Sequence, residues 1–180
     1  MMKHPTGKIL ISLIVFLFIH NLGHPQDDPP YRLSLEMGGS IEFKVYSLRH
    51  YYQGMTYNDR TTLRIHCDTL DSGKHTNVWY MGVKAQDASF YSSYPGRTLD
   101  LDYVTLEVFD GGGIDAFNSG ELTSGEITLN SSNYTALVED GDAGNYKVNL
   151  TYHLDSVTGQ LPGYYNTNFI FKMDTVPFPW

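Results

Sequence analysis

Apolar and polar residues alternate one for one along much of this chain. Ile41, Phe43 and Val45 alternate with Glu42, Lys44 and Tyr46, and Leu63, Ile65 and Cys67 with Arg64, His66 and Asp68. Trp79, Met81, Val83 and Ala85 repeat the pattern, as do Val104, Leu106 and Val108. The longest set is Tyr146, Val148, Leu150, Tyr152 and Leu154; Phe169, Phe171 and Met173 follow less cleanly. Successive side chains of a strand face opposite sides, so each set predicts a strand with one dry and one wet face. Shorter strands are predicted over 32–37, 126–129 and 134–138. No stretch keeps apolar spacing of three and four residues over three turns, so no long amphipathic helix is expected.

The breaks between these sets carry turn chemistry: Gly38-Gly39, Asp71-Ser-Gly73, Pro95-Gly96, Asp110-Gly-Gly-Gly113, Glu139-Asp-Gly141 and Pro162-Gly163. Gly accepts positive φ, and Asp and Ser bond back to nearby amides. About seven to nine short strands joined by such turns predict an all-β, two-layer antiparallel β-sandwich, with a barrel as the alternative. Segments 47–60 and 155–166 lack the pattern and read as the longest loops, where binding residues concentrate.

The N-terminus has a different logic. Lys3 and Lys8 precede the apolar run Ile9–Ile19, and a polar break and the Pro-rich stretch 24–30 follow. That order is expected of a secretory signal peptide over 1–26, leaving 27–180 as a single domain. The run is 11 residues long, short of the roughly 20 that span a bilayer as a helix. No second apolar run follows, so the mature chain is not expected to be an integral membrane protein. Export to the periplasm, the cell surface or the medium is expected. Residues 27–180 carry 10 Lys and Arg against 20 Asp and Glu, a net charge of −10. Such a chain lacks the basic cluster that nucleic-acid phosphates require. Cys67 is the only cysteine, so no internal disulfide is expected, and Cys67 reads as a buried small hydrophobe.

Three pieces together resemble an immunoglobulin-type sandwich. Leu63–Cys67 is similar to a second strand with an inward cysteine. Trp79 sits where such folds place a core tryptophan. Asp142-Ala-Gly-Asn-Tyr-Lys-Val148 is similar to the tyrosine-corner signature, with Val148 in place of the second cysteine. The resemblance implies that the Tyr146 hydroxyl bonds back to the backbone and fixes the start of its strand. Trp79–Ala85 with Phe90, and Gly144–Tyr152, also resemble strands of bacterial pilin-type and adhesin-type surface domains, which implies a structural or adhesive role at the cell surface.

No catalytic or metal constellation stands out. His66 and Cys67 are strand neighbours and point apart. The four histidines of residues 27–180 are widely spaced, without the close ligand set that zinc needs. The acidic stretches Asp110–Asp115 and Glu139–Asp142 lack the order of a calcium loop and read as turns. No enzyme activity, metal or cofactor is expected. The binding candidates are aromatic: Tyr51, Tyr52 and Tyr57 in one segment, Tyr91 and Tyr94 in a second, Tyr164 and Tyr165 in a third. Exposed rings anchor protein partners or stack on sugars. The expected partner is another protein or a second copy of this chain, through edge strands and terminal segments such as 27–30 or 175–180; a glycan bound by the loop tyrosines is the alternative.

Overall fold

The computed structural model describes residues 31–38, 41–68 and 78–178. The expected signal peptide and the turns at Gly39 and Asp71–Gly73 lie outside them. The described chain is mostly strand, and every pairing is antiparallel. In order the strands are β1 (Tyr31–Met37), β2 (Ile41–Val45), β3 (Met55–Cys67), β4 (Trp79–Ala85), β5 (Ser89–Ser92), β6 (Thr98–Asp100), β7 (Val104–Asp110), β8 (Ile127–Thr128), β9 (Thr135–Gly141), β10 (Gly144–Leu154), β11 (Gly163–Thr167) and β12 (Phe169–Asp174). A short helix, α1 (Leu48–Gln53), joins β2 to β3.

One layer is a sheet ordered β1-β3-β10-β7-β8. The other is built from two smaller sheets, β2-β11-β5-β6 and β12-β4-β9. These two run into each other. Only Asn168 separates β11 from β12, and β4 leads into β5 through residues 86–88. Phe169 pairs with Ala85 and Asn166 with Tyr91, so five residues on one side oppose two on the other. That bulge splits the layer, and the Gln86 amide donating to the Asn168 carbonyl at 2.8 Å bridges the break. A bulge of this kind bends its strand and raises the local twist.

The core fills the space between the layers. Phe43 of β2 meets Tyr57 of β3 at 5.5 Å, Trp79 of β4 meets Tyr146 of β10 at 5.8 Å, and Tyr152 of β10 stacks on Phe169 of β12 at 5.4 Å. The inward residue of every clean alternating set is buried. Tyr152 is fully buried, and its hydroxyl pairs with the Thr61 hydroxyl at 2.8 Å, which satisfies a polar group that would otherwise be costly there.

The twelve strands among the described residues exceed the seven to nine expected, because several form without the alternating signature. Segment 47–60 is not a loop. Ser47 caps α1 by accepting the His50 amide at 3.1 Å, and Gly54 ends it at φ 69°. Residues 55–60 are the polar first half of β3. There Leu150 pairs with Thr61 and Tyr152 with Tyr57, so residues 58–60 bulge opposite Thr151. Segment 155–166 ends in β11, whose Gly163, Tyr165 and Thr167 are buried although two of them are not apolar. The expected turn Glu139–Gly141 belongs to β9, with a bulge at Asp140 (φ 54°); the turn itself is Asp142-Ala143.

The strands that resemble immunoglobulin B and F are placed differently from that arrangement, in which they face each other from opposite sheets. Here β3 and β10 are hydrogen-bonded neighbours, with Leu63 opposite Val148 and Cys67 opposite Gly144. Cys67 is buried and free. The Tyr146 hydroxyl donates to the Ala143 carbonyl at 3.4 Å, just before its own strand.

Candidate functional site

Period two and register together build an aromatic face on the outside of the second layer. With Ile41, Phe43 and Val45 turned inward, β2 presents Glu42 and Lys44 outward, and Tyr46, the residue just after the strand, lies against Tyr164 of the same face. On β11, Tyr164 lies opposite Lys44 and Asn166 opposite Glu42; on β5, Tyr91 lies opposite Asn166. The 93–97 turn between β5 and β6 adds Tyr94 and Arg97. Its backbone is closed by the Ser92 amide to the Arg97 carbonyl at 3.1 Å, with Gly96 at φ 75°.

The rings contact one another. Tyr46 meets Tyr164 edge-on, centroids 4.7 Å apart at 64°. Lys44 Nζ lies 5.7 Å from the Tyr164 centroid, and the Arg97 guanidinium stacks over Tyr94 at 4.8 Å. Arg97 Nη1 also donates to the Pro162 carbonyl at 2.8 Å, which fixes the cation in place. Tyr46 is 49% exposed and Tyr94 46%. Partial loss of solvent first, and then the Tyr94 hydroxyl, push the Tyr46 phenol up to about 12. Its proton therefore stays in place as a hydrogen-bond donor at any ordinary pH.

Of the seven tyrosines expected to bind, this face gathers Tyr91, Tyr94 and Tyr164. Tyr165 is buried, because neighbours on β11 point to opposite faces, and its hydroxyl donates to the Leu161 carbonyl. Tyr51 and Tyr52 sit on α1. Tyr52 is 66% exposed, whereas the Tyr51 carbonyl accepts the Val157 amide at 3.1 Å and so ties down the 155–162 loop. Tyr57 packs on Phe43 with the Arg60 guanidinium 5.1 Å from its ring. Sequence reasoning missed Tyr46, Lys44 and Arg97 as part of a site. The signal was there for the first two, on the polar side of β2, but it needed β11 as the neighbouring strand.

A second surface lies along one side of the sandwich, where both layers end. Among the described residues, β1 pairs only with β3 and β2 only with β11. Leu33 and Leu35 point inward from β1, opposite Ile65 and Leu63, yet Leu35 is 51% exposed. A bulge at Glu36 stops the regular pairing there, and the Glu36 carboxylate bridges Arg64 and Lys147, the latter at 3.0 Å. A cleft of about 330 Å³ opens between β2 and the first half of β3, lined by Ile41, Glu42, Lys44, Tyr57 and Arg60.

On the outer face of the first layer, Thr56 Oγ1 lies 3.1 Å from His153 Nδ1, and His153 Nε2 lies 3.0 Å from Glu107 Oε2. The order imitates a nucleophile, base and acid. These residues sit on three paired strands whose local backbone is engaged in the ladder, so the group reads as a cross-strand polar chain. The acidic loops serve turns: Asp110 accepts the Gly112 amide at 2.8 Å and Asp115 the Asn145 amide at 2.7 Å. Among the described residues, no three His, Cys, Asp or Glu side chains converge as metal ligands. No family model matches the chain, and none of the curated proteins does.

Proposed function

We propose that this is an exported, non-enzymatic surface protein that works by contact with other protein chains, joined through strand addition at the edge of β1 that pairs with no strand among the described residues. The observation that carries the reading is Leu35. It is an inward-facing residue of an edge strand, opposite buried Leu63, and half its surface is open. An added strand would supply ladder bonds to β1 and cover Leu35, with apolar burial worth about 25 cal/mol per Å². The bulge at Glu36 and its ion pairs limit the acceptor edge to Tyr31–Leu35, in the way natural edges restrict uncontrolled pairing. The signal-like pattern of residues 1–26 supports export.

The C-terminal Pro-rich segment is not a free donor in this reading. Phe178 is buried against Tyr134, ring centroids 5.3 Å apart, so the segment is engaged with its own domain up to that residue. The acidic arm 27–30 lies outside the described residues.

The test is the size of the native protein in unheated detergent. A ladder of heat-sensitive multimers is expected for the wild type, and Leu35→Lys should collapse it to monomer with the melting temperature little changed. A single monomeric species from wild-type cells overturns the reading. The aromatic face favours a second reading, glycan binding, because three of the expected tyrosines meet there.

A further inference from the structure

We infer that the outer face of β2, β11 and β5 binds an acidic polysaccharide, a chain of pyranose units bearing carboxylates. The inference deepens the glycan reading and is independent of strand addition at β1.

Stacking surface comes first. Tyr46, Tyr91, Tyr94 and Tyr164 share one face of one small sheet, and three of them are about half exposed. Tyr164 and Tyr91 stand on neighbouring strands two residues apart in register. That places their Cα atoms about 8 Å apart along a diagonal, which suits successive units of an extended chain. The apolar C–H face of a pyranose packs on such rings at little entropic cost where a neighbour already restrains them, as Tyr46 does Tyr164.

Charge decides the kind of sugar. Residues 27–180 are strongly acidic, yet this face carries two cations against its rings, Lys44 at Tyr164 and Arg97 at Tyr94. Arg97 is stacked and held by Pro162, so its remaining N–H donors are pre-organised for a carboxylate. Lys44 pairs with Glu42 at 3.4 Å, but both side chains are exposed; such a pair is weak and exchanges readily for a ligand carboxylate. Glu42 and Asn166, opposite each other on β2 and β11, offer acceptors and a donor to hydroxyl groups. A neutral glycan would use the rings and leave both cations idle.

The probes are polygalacturonate and neutral galactan, titrated against the full chain. Polygalacturonate is expected to bind, galactan about tenfold more weakly or not at all. Tyr46→Ala and Tyr164→Ala should each weaken polygalacturonate binding by about tenfold. Lys44→Gln and Arg97→Gln should weaken it to the level of galactan, and raised salt should do the same to the wild type. Lys44→Gln changes an exposed residue and keeps the test valid if Arg97→Gln disturbs the 93–97 turn. Equal binding of both polymers overturns the acidic specificity but leaves the glycan reading. Binding of neither, or binding untouched by both tyrosine variants, overturns both. Leu35→Lys should bind polygalacturonate as the wild type does.

Discussion

Trp79 and Tyr146 come from opposite layers, touch at 5.8 Å, and both bond to the same two-residue turn. Trp79 Nε1 donates to the Asp142 carbonyl, and the Tyr146 hydroxyl to that of Ala143. The β9–β10 connection is thereby pinned from both layers. Gly141, just before it, lies so close that an added Cβ would sit inside the Trp79 indole. Gly141→Ala should therefore destabilise by about 1–3 kcal/mol through overpacking. Tyr146→Phe removes one long hydrogen bond from a ring that stays packed, and should cost about 0.5 kcal/mol. Urea denaturation of the two variants checks the order; a larger loss for Tyr146→Phe contradicts it.

Acid should loosen the β1 edge before it unfolds the core. Hydrogen bonding to Lys147, with Arg64 beside it, holds the Glu36 carboxyl below its ordinary value of 4.5. A depressed carboxylate stabilises the fold above its unfolded pKa, and that contribution is lost as pH falls through the lower folded value. The ion pairs should therefore weaken below about pH 4.5, and Glu36→Gln should flatten the stability profile in that window. Amide exchange at β1 between pH 3 and pH 6, in wild type and variant, measures it; identical profiles contradict it.

The thiol of Cys67 should be silent in the native protein. It is buried opposite Gly144, and burial first, then the Asp68 charge, push its pKa up. Little thiolate forms near neutral pH, and the reagent cannot reach it. A thiol-reactive dye at pH 7.5 should label it only in denaturant. Rapid native labelling would place Cys67 at an opening that the packing of β1 and β3 excludes.

Tyr46 should titrate well above the ordinary phenol value of 10. Its phenol is pushed up to about 12, so the folded protein holds that proton more tightly than the unfolded chain does. The associated stability is complete below about pH 10 and is lost as pH rises through the folded value. Tyr46→Phe should remove one step from the upper end of the phenolate absorbance titration. Loss of a step near pH 10 instead contradicts the packing of Tyr46 against Tyr94 and Tyr164.

The core was legible because burial writes itself into sequence as period two. Ile41, Phe43 and Val45 announce β2, and Tyr146 to Leu154 announce β10, since only apolar side chains occupy those inward positions. β11 hid because two of its three buried residues, Gly163 and Thr167, do not look apolar, and Tyr165 between them carries a hydroxyl that Leu161 satisfies. The first half of β3 hid behind its own bulge, which breaks the alternation at Asn58–Arg60. The aromatic face depended on this missing strand. Tyr91, Tyr94 and Tyr164 were visible as exposed aromatic candidates, but only the β2–β11–β5 register brings them beside Tyr46 and Lys44. Tyr165 is buried while Tyr164 lies on the outer face, because adjacent strand residues face opposite ways.

β3 and β10, 13 and 11 residues long, run antiparallel through the whole length of the first layer. A partner strand joined to β1 would hand its load directly to that ladder. Traction along the strand axis would then shear many hydrogen bonds at once, where traction across the sheet would peel them singly. The domain would act as a tension-bearing link with a preferred direction of pull, which force spectroscopy along the two axes would register as unequal rupture forces.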